Sequence, residues 1–377
     1  MYLPEDHRSL GAKYDLFSFF EEAPGFPVWH ENGLRIKNSL IQYWRQIHRD
    51  NGYLEMESPM MLDKELWKKS GHCDYFEENM FFSSVDKRDY AIKPMSCPGA
   101  ILAFNSKRRS HAELPLRFCE LGHVHRNEQS GALHGLLRVR SFVQDDAHIF
   151  CAGEDLLNEV SNIISLIQMI MQKCGLPDYH FELSVRDKRK KQYMGEDQDW
   201  KYCEDILEKA LIRSKLDVHK KEGEAKFYGP SLDLHVKDRH GRSWQCSTIQ
   251  LDFNLPNRFG LHYYDKEGNK RVPYMLHRAI FGSIERFIGM LLEHYGKKLP
   301  FWLHPNQYRI LNVSQNSLNY ANSLLIELRA KGHFVEIDQS SDPLKEKVKK
   351  AREDMVYSII VIGDKEVEEQ KYVVQVL

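Results

Sequence analysis

The 377-residue chain lacks several things, and each absence removes a class of function. It has no excess of either charge: 53 lysines and arginines stand against 54 aspartates and glutamates, for a formal net charge of -1. That balance argues against a general polyanion binder and leaves room only for a local basic face. A disulfide framework is missing too. Cys73, Cys97, Cys119, Cys151, Cys174, Cys203 and Cys246 are odd in number and scattered, the usage of reduced thiols in a cytoplasmic protein. No apolar run approaches the roughly 20 residues of a membrane span. The opening MYLPEDHRSLG has no signal-peptide core and is too acidic for a transit peptide. Internal repeats and low-complexity tracts are absent. What remains is a chain with 42% hydrophobic residues, long enough for two domains.

What is present is concentrated in LRFCELGHVHRNEQSGALHGLLRVRSFVQDDAHIFC, residues 116–151. Residues 116–126 mix apolar and polar positions as a half-buried strand does. Residues 127–135 are polar and carry two glycines, the mark of a long hairpin loop. A second strand is predicted over 136–148. Side chains alternate faces along a strand, so Arg138, Arg140, Phe142, Gln144, Asp146 and His148 share one side. Two guanidinium groups suit phosphate oxygens. Phe142 suits a purine face, Asp146 an ammonium group, and the neutral imidazole of His148 a metal. Together these are the groups of a site for a nucleotide and a small zwitterion; the competing reading is a solvated sheet face.

Around this hairpin, helical spacing predicts helices over 6–22, 34–51, 152–174, 197–215 and 279–295. Strands are expected over 53–61, 90–96, 179–186, 227–236, 243–253 and 272–277. Residues 68–76, KKSGHCDYF, read as a loop in which His72 is either a solvated polar residue or part of a site. Taken alone, Cys97 beside Pro98 and Gly99 reads as a small buried hydrophobe. The charged run 186–191 reads as a solvated loop. KKLPFWLHP, residues 297–305, marks a boundary, giving domains 1–299 and 300–377. Beyond it, strands over 308–313, 334–337 and 357–362 alternate with helices over 317–331 and 344–355, which implies a parallel sheet.

With these stretches in view, a resemblance is plain. The strand–loop–strand resembles motif 2 of the class II aminoacyl-tRNA synthetases. In detail RNEQSGALHGLLRVRSFVQDDAHIFC, KPMSCPG (93–99) and HRAIFGSIERF (277–287) resemble the threonyl-tRNA synthetases, the last as motif 3. The resemblance covers nearly the whole chain. It implies an α+β fold: an antiparallel sheet flanked by helices, then a small α/β anticodon-binding domain with a mostly parallel sheet. It also implies activation of L-threonine with ATP and Mg2+ and transfer to tRNA(Thr). The enzyme would be a cytoplasmic homodimer joined through the helix–strand–proline unit of residues 34–61.

By the same resemblance Cys97, His148 and His277 would hold one Zn2+, three protein ligands leaving a position for substrate. Arg126 would bridge the amino-acid carboxylate and the α-phosphate, Glu128 and Phe142 would hold adenine, and Arg138 and Arg286 would neutralise the outer phosphates. Gln245 and Thr248 would contact the nucleotide; Gln144, Asp146, Tyr228 and Gln250 would face threonine; His72 would act near the tRNA ribose. Lys345, Lys347, Lys349, Lys350 and Arg352 would meet RNA phosphates, against the alternative of a solvated lysine-rich helix. His123, His125, His134 and Cys119 would be structural or solvent-facing. Four positions depart from the family pattern: Cys73 for tryptophan, Ser96 for asparagine, Ala100 for histidine and Ser231 for lysine. The chain starts almost at the catalytic core and stops soon after the last expected strand. An editing region and a final anticodon-domain helix are therefore expected to be missing, and seryl-tRNA formation is expected. Two other functions stay open: a threonine-adenylating paralogue with an acceptor other than tRNA, and a non-catalytic sensor of threonine or uncharged tRNA.

Overall fold

The structure is a computed structural model that describes residues 6–187, 189, 193–238 and 240–377. The chain divides into two compact units. The larger takes Phe19–Pro27 and Trp44–Met290; the smaller takes the residues up to Ser18, Val28–Tyr43 and Leu291–Leu377.

The larger unit is built on an eight-stranded sheet. In chain order its strands are β1 (Leu54–Glu55), β2 (Leu116–His125), β3 (Ser141–Cys151), β4 (Tyr179–Val185), β5 (His219–Glu222), β6 (Ser231–Lys237), β7 (Ser243–Asp252) and β8 (Tyr274–Ser283). Across the sheet they run β5-β4-β6-β7-β8-β3-β2-β1. The inner strands are antiparallel, and only the short edge strands β1 and β5 pair in parallel. Such a sheet can be apolar on one face and polar on the other. Ala147, Ile149, Leu232, Leu234, Ile249 and Leu251 are fully buried on the apolar face. Helix Leu156–Lys173 packs against β7 and helix Asp197–Arg213 against β4. Ile163, Ile164, Ile167, Ile170 and Met171 fill the first contact, each worth roughly 1.5–3 kcal/mol of burial. The polar face is left for chemistry.

Several elements end elsewhere than expected, each for a local reason. The first helix is only His7–Lys13: the chain turns at Asp15, which has φ 53, and Phe17–Ser18 pairs with Val28–Trp29. The expected strand 53–61 is reduced to β1, and Met61–Asp63 joins Arg88–Ile92 and Phe81–Val85 in a separate three-stranded sheet. Residues 68–76 are not a loop but the end of helix Lys64–Ser70 and the short helix His72–Phe76, hinged at Gly71 with φ 84. Strand β3 begins at Ser141, not Leu136, so Arg138 and Arg140 fall outside the expected row. Their backbone is taken up elsewhere: Arg140 N–H donates to Gly25 O, and Arg138 N–H to His134 O. Strand β8 runs through His277 to Ser283, and the helix follows only at Ile284–Tyr295. In the charged run, Arg186 pairs with Asp197 and Arg189 with Asp187, while Lys188, Lys190 and Lys191 lie outside the described residues.

In the smaller unit, β9 (Tyr308–Asn312), β10 (Val335–Asp338), β11 (Ser358–Ile362) and β12 (Val374–Val376) form a sheet in the order β10-β9-β11-β12. The first three are parallel and β12 is antiparallel to β11. Ile310, Leu324, Leu328, Val335 and Ile360 form one core, Leu311, Ala351, Val356 and Ile359 a second. Lys347 is not free to meet a phosphate. It is buried and its ammonium donates to Asn312 O at 2.7 Å, whereas Lys345, Lys349, Lys350 and Arg352 are exposed. Among the described residues no helix is long and apolar enough to cross a membrane.

Candidate active site

The polar sheet face floors a cavity of about 920 Å³. Every residue to which the resemblance assigned a role in the site lines it: His72, Cys97, Arg126, Glu128, Arg138, Phe142, Gln144, Asp146, His148, Tyr228, Gln245, Thr248, Gln250, His277 and Arg286. Arg140 does not. It donates to the carbonyl oxygens of Glu128 and Pro24 and to the Ser130 hydroxyl.

At one end three ligand-type side chains converge. His148 of β3 and His277 of β8 stand directly opposite in register, ring centroids 5.1 Å apart. Cys97 opens helix Cys97–Asn105, with Pro98 in its first turn. One ligand atom from each of the three lies within 4.8 Å of the others, and all three residues are buried. Gly99 lets this helix pack closely on Ser58, because a Cβ there would stand 2.4 Å from Ser58 Cβ. Burial, then the charges of Asp146 and Asp252, push the Cys97 thiol up. Burial, then His277, Arg278 and Lys93, push His148 down, leaving its imidazole neutral and able to coordinate. One thiol and two imidazoles are a donor set that suits zinc, with a position left open. His277 Nε2 lies 2.9 Å from Asp252 Oδ2, whose Oδ1 accepts the N–H groups of Asn254 and Leu255 at 2.7 and 2.9 Å.

His72 borders this end and is buried, not solvated. Its Nε2 lies 3.7 Å from Cys97 Sγ and its Nδ1 2.7 Å from Ser70 Oγ. The single Ser70 hydroxyl proton is donated to Trp67 O at 3.0 Å. His72 Nε2 also lies 3.2 Å from Met95 Sδ. Burial holds His72 down to about 4, which keeps it neutral near pH 7.

Asp146 also lines the cavity, near enough to Cys97 for its charge to act on the thiol. Burial pushes Asp146 up to about 6, with the Ser96 hydroxyl and Arg126 opposing. Gly122 makes this possible: a Cβ there would stand 2.2 Å from Ser96 Oγ. The Tyr228 hydroxyl donates to Gln250 Oε1, and the Tyr228 ring stands 5.3 Å from that of His277.

The rest of the cavity is cationic and aromatic. The Arg126 guanidinium sits 5.6 Å from the Phe76 ring and 5.2 Å from that of Phe142. Its bonds to Pro94 O and Gln144 Oε1, at 3.3 and 3.4 Å, are long. Arg138 donates to Glu128 at 2.9 Å, but its side chain is 57% exposed, so the pair is easily exchanged for another partner. Gln245 and Thr248 both donate to Asp233 Oδ1, at 2.7 and 2.8 Å. Asp233 Oδ2 accepts the hydroxyls of Ser184 and Ser231, each at 3.0 Å. At Ser231, one of the positions expected to depart from the family pattern, a hydroxyl thus helps to satisfy a buried carboxylate.

Arg286 is placed by a bulge in β8. Ala279 stands opposite Asp146, yet Ser283 stands opposite Gln144. The extra residues are held by Asp145, whose carboxylate accepts the N–H groups of Ile280, Phe281 and Gly282 at 2.9, 3.1 and 2.9 Å. Gly282 has φ +79, and a Cβ there would stand 2.7 Å from Cys246 O. Glu285 then accepts the Val143 N–H at 2.8 Å, fixing the start of the helix. Arg286 Nε is buried and has no partner among the described residues, a donor awaiting an anion. Asp145, Asp233, Asp252 and Glu285 were not foreseen from sequence. Each acts by bonding groups remote along the chain, which no local pattern reveals.

Residues 80–295 match the profile of the tRNA synthetase class II core domain (G, H, P, S and T), and residues 307–377 that of an anticodon binding domain. A threonine–tRNA ligase of Caldanaerobacter subterraneus subsp. tengcongensis is 47% identical over 364 residues, 97% of this chain and 56% of its own length. One from Clostridium tetani is 46% identical over 370 residues, 98% of this chain and 57% of its own length. The chain thus spans about half the length of the curated relatives it matches. The crystal structure of the RNA binding domain of threonyl-tRNA synthetase from Cryptosporidium parvum Iowa II superposes with a TM-score of 0.95 at 38% identity, covering 98% of this chain and 92% of that one.

Proposed function

The chain belongs to the class II aminoacyl-tRNA synthetases, among the threonyl-tRNA synthetases, and from that premise we propose that it activates L-threonine with ATP and transfers it to tRNA(Thr). The observation that carries this reading is the meeting of Cys97, His148 and His277 at the end of a cavity lined by unpaired or loosely paired cationic groups. A zinc ion held by these three would supply a Lewis-acidic position that the amino and hydroxyl groups of threonine can both fill and valine cannot.

The chain's own side chains do the rest. No protein nucleophile is needed, because the threonine carboxylate attacks the α-phosphate of ATP, breaks its bond to the β-phosphate and releases pyrophosphate; the residues position and neutralise charge. Asp146 receives the substrate ammonium. Tyr228 and Gln250, bonded to each other, face the amino acid from the cavity wall. Arg126, held only by long bonds, bridges carboxylate and α-phosphate. Adenine stacks on Phe142 and is held by Glu128 once Arg138 turns to the outer phosphates, where Arg286 Nε meets the same charge and Mg2+ would help to neutralise it. Gln245 and Thr248 line the nucleotide wall, their donors already engaged by Asp233. In the transfer step His72, kept neutral by burial, accepts a proton at the tRNA ribose.

The anticodon-type unit presents Lys345, Lys349, Lys350 and Arg352 to RNA. Seven unbridged cysteines are in keeping with the cytoplasm. An outer strand β1 with Leu54 54% exposed is in keeping with a homodimer edge. With purified chain, threonine should drive exchange of labelled pyrophosphate into ATP, and tRNA(Thr) should accept threonine. Exchange without charging would move the assignment to another acceptor, and threonine binding without exchange would make the site a sensor.

A further inference from the structure

We propose that Asp252 is a positioning residue for the metal centre: it fixes the tautomer of His277 so that one ring nitrogen is always free to coordinate. The proposal deepens the reading above and rests on it.

The geometry is specific. Asp252 is fully buried at the end of β7, where the chain turns into the short helix Leu255–Arg258. Its Oδ1 accepts two backbone N–H groups, from Asn254 and Leu255, at 2.7 and 2.9 Å. Those bonds prevent the carboxylate from rotating and aim Oδ2 at His277 Nε2, 2.9 Å away. With Oδ1 taken up by two backbone donors, Oδ2 is the oxygen left to accept, and the 2.9 Å contact is the hydrogen bond it makes with the Nε2 N–H of His277. Nδ1 is then the one nitrogen of His277 with a lone pair. His277 is 8% exposed, so water cannot easily shuttle the proton between its nitrogens.

Asp252 does not belong to the ligand cluster itself, which comprises Cys97, His148 and His277. It stands behind one ligand, where a hydrogen-bonded carboxylate orients the ring and raises its basicity.

The test uses Asp252→Asn. Its remaining oxygen can keep the Asn254 and Leu255 N–H groups, while its amide nitrogen would face His277 Nε2 as a donor and drive the ring proton to Nδ1. The full chain is stripped of metal and titrated with Co2+, whose thiolate charge-transfer and d–d bands report a Cys–His site, and zinc affinity is read by chelator competition. The expected result is Co2+ and Zn2+ affinity weakened by about 10–100-fold, with the thermal midpoint of the metal-free protein unchanged. Asp252→Ser, whose hydroxyl can still cap the turn, should weaken the metal in the same sense. Equal affinity in wild type and both variants overturns the proposal. So does a loss of affinity that merely tracks a loss of fold in the metal-free protein, since that makes Asp252 a turn cap and nothing more. A wild-type chain that takes up no cobalt overturns the metal-centre reading instead.

Discussion

Gly282→Ala should damage ATP use more than its size suggests. Two costs add. The residue sits at φ +79, a conformation that costs an alanine roughly 1–2 kcal/mol. Its methyl would also stand 2.7 Å from the Cys246 carbonyl oxygen, a backbone atom that no rotamer change can move. Relieving such overpacking costs about 1–3 kcal/mol more. The bulge would have to lift away from β7, and its N–H bonds to Asp145 would lengthen with it. Ser283 follows directly and Arg286 lies one helical turn further on, so the guanidinium proposed to meet phosphate would be displaced. Loss of one charge-assisted hydrogen bond, about 1.5–3 kcal/mol, corresponds to roughly a 10–100-fold rise in the KM for ATP. Gly268→Ala is the control: Gly268 has φ +83 but nothing within 4 Å of its would-be Cβ. Urea unfolding gives the stability loss and pyrophosphate exchange gives KM. If the two variants lose the same stability and both keep the wild-type KM for ATP, the bulge does not position Arg286.

Asp233→Asn leaves an amide with one accepting oxygen where four donors converged, so Gln245 and Thr248 should loosen; exchange kinetics should show a raised KM for ATP and an unchanged KM for threonine. Arg138→Ala should raise the KM for ATP while changing unfolding free energy by less than about 1 kcal/mol, because its ion pair with Glu128 is exposed. His48 is held down to about 2 by burial and by the Arg278 charge. The native protein therefore keeps it neutral while the unfolded chain protonates below about 6.5, so its contribution is present above that pH and fades as pH falls toward 2. Unfolding measured between pH 7 and 5 should lose about 1 kcal/mol per unit from this residue, and His48→Gln should flatten the profile; an unchanged profile would remove His48 from the acid response.

The parts of the site legible in sequence were those set by local period. Phe142, Gln144, Asp146 and His148 do share a face of β3, as two-residue alternation requires. The same rule failed at Arg138 and Arg140, because Gly25 and His134, remote or across a turn, capture their backbone groups before the strand begins. The βαβαβ order of the smaller unit was readable from alternating periods, but Lys347 was misjudged because its acceptor, Asn312 O, lies 35 residues away at the end of β9. The Cys97–His148–His277 grouping spans 180 residues of chain (277 − 97) and came only through resemblance to known motifs. The β8 bulge left no trace in the sequence at all, since Asp145 supplies its acceptors from the neighbouring strand.

The thiol–imidazole centre is tested most directly by pyrophosphate exchange driven in parallel by threonine and by valine, on chain whose zinc content has been measured. About one zinc per chain is expected, with a preference for threonine far beyond the roughly 100-fold that shape alone provides between such isosteres. Chain without zinc that still prefers threonine, or zinc-loaded chain that prefers it by no more than shape allows, would contradict the role given to Cys97, His148 and His277.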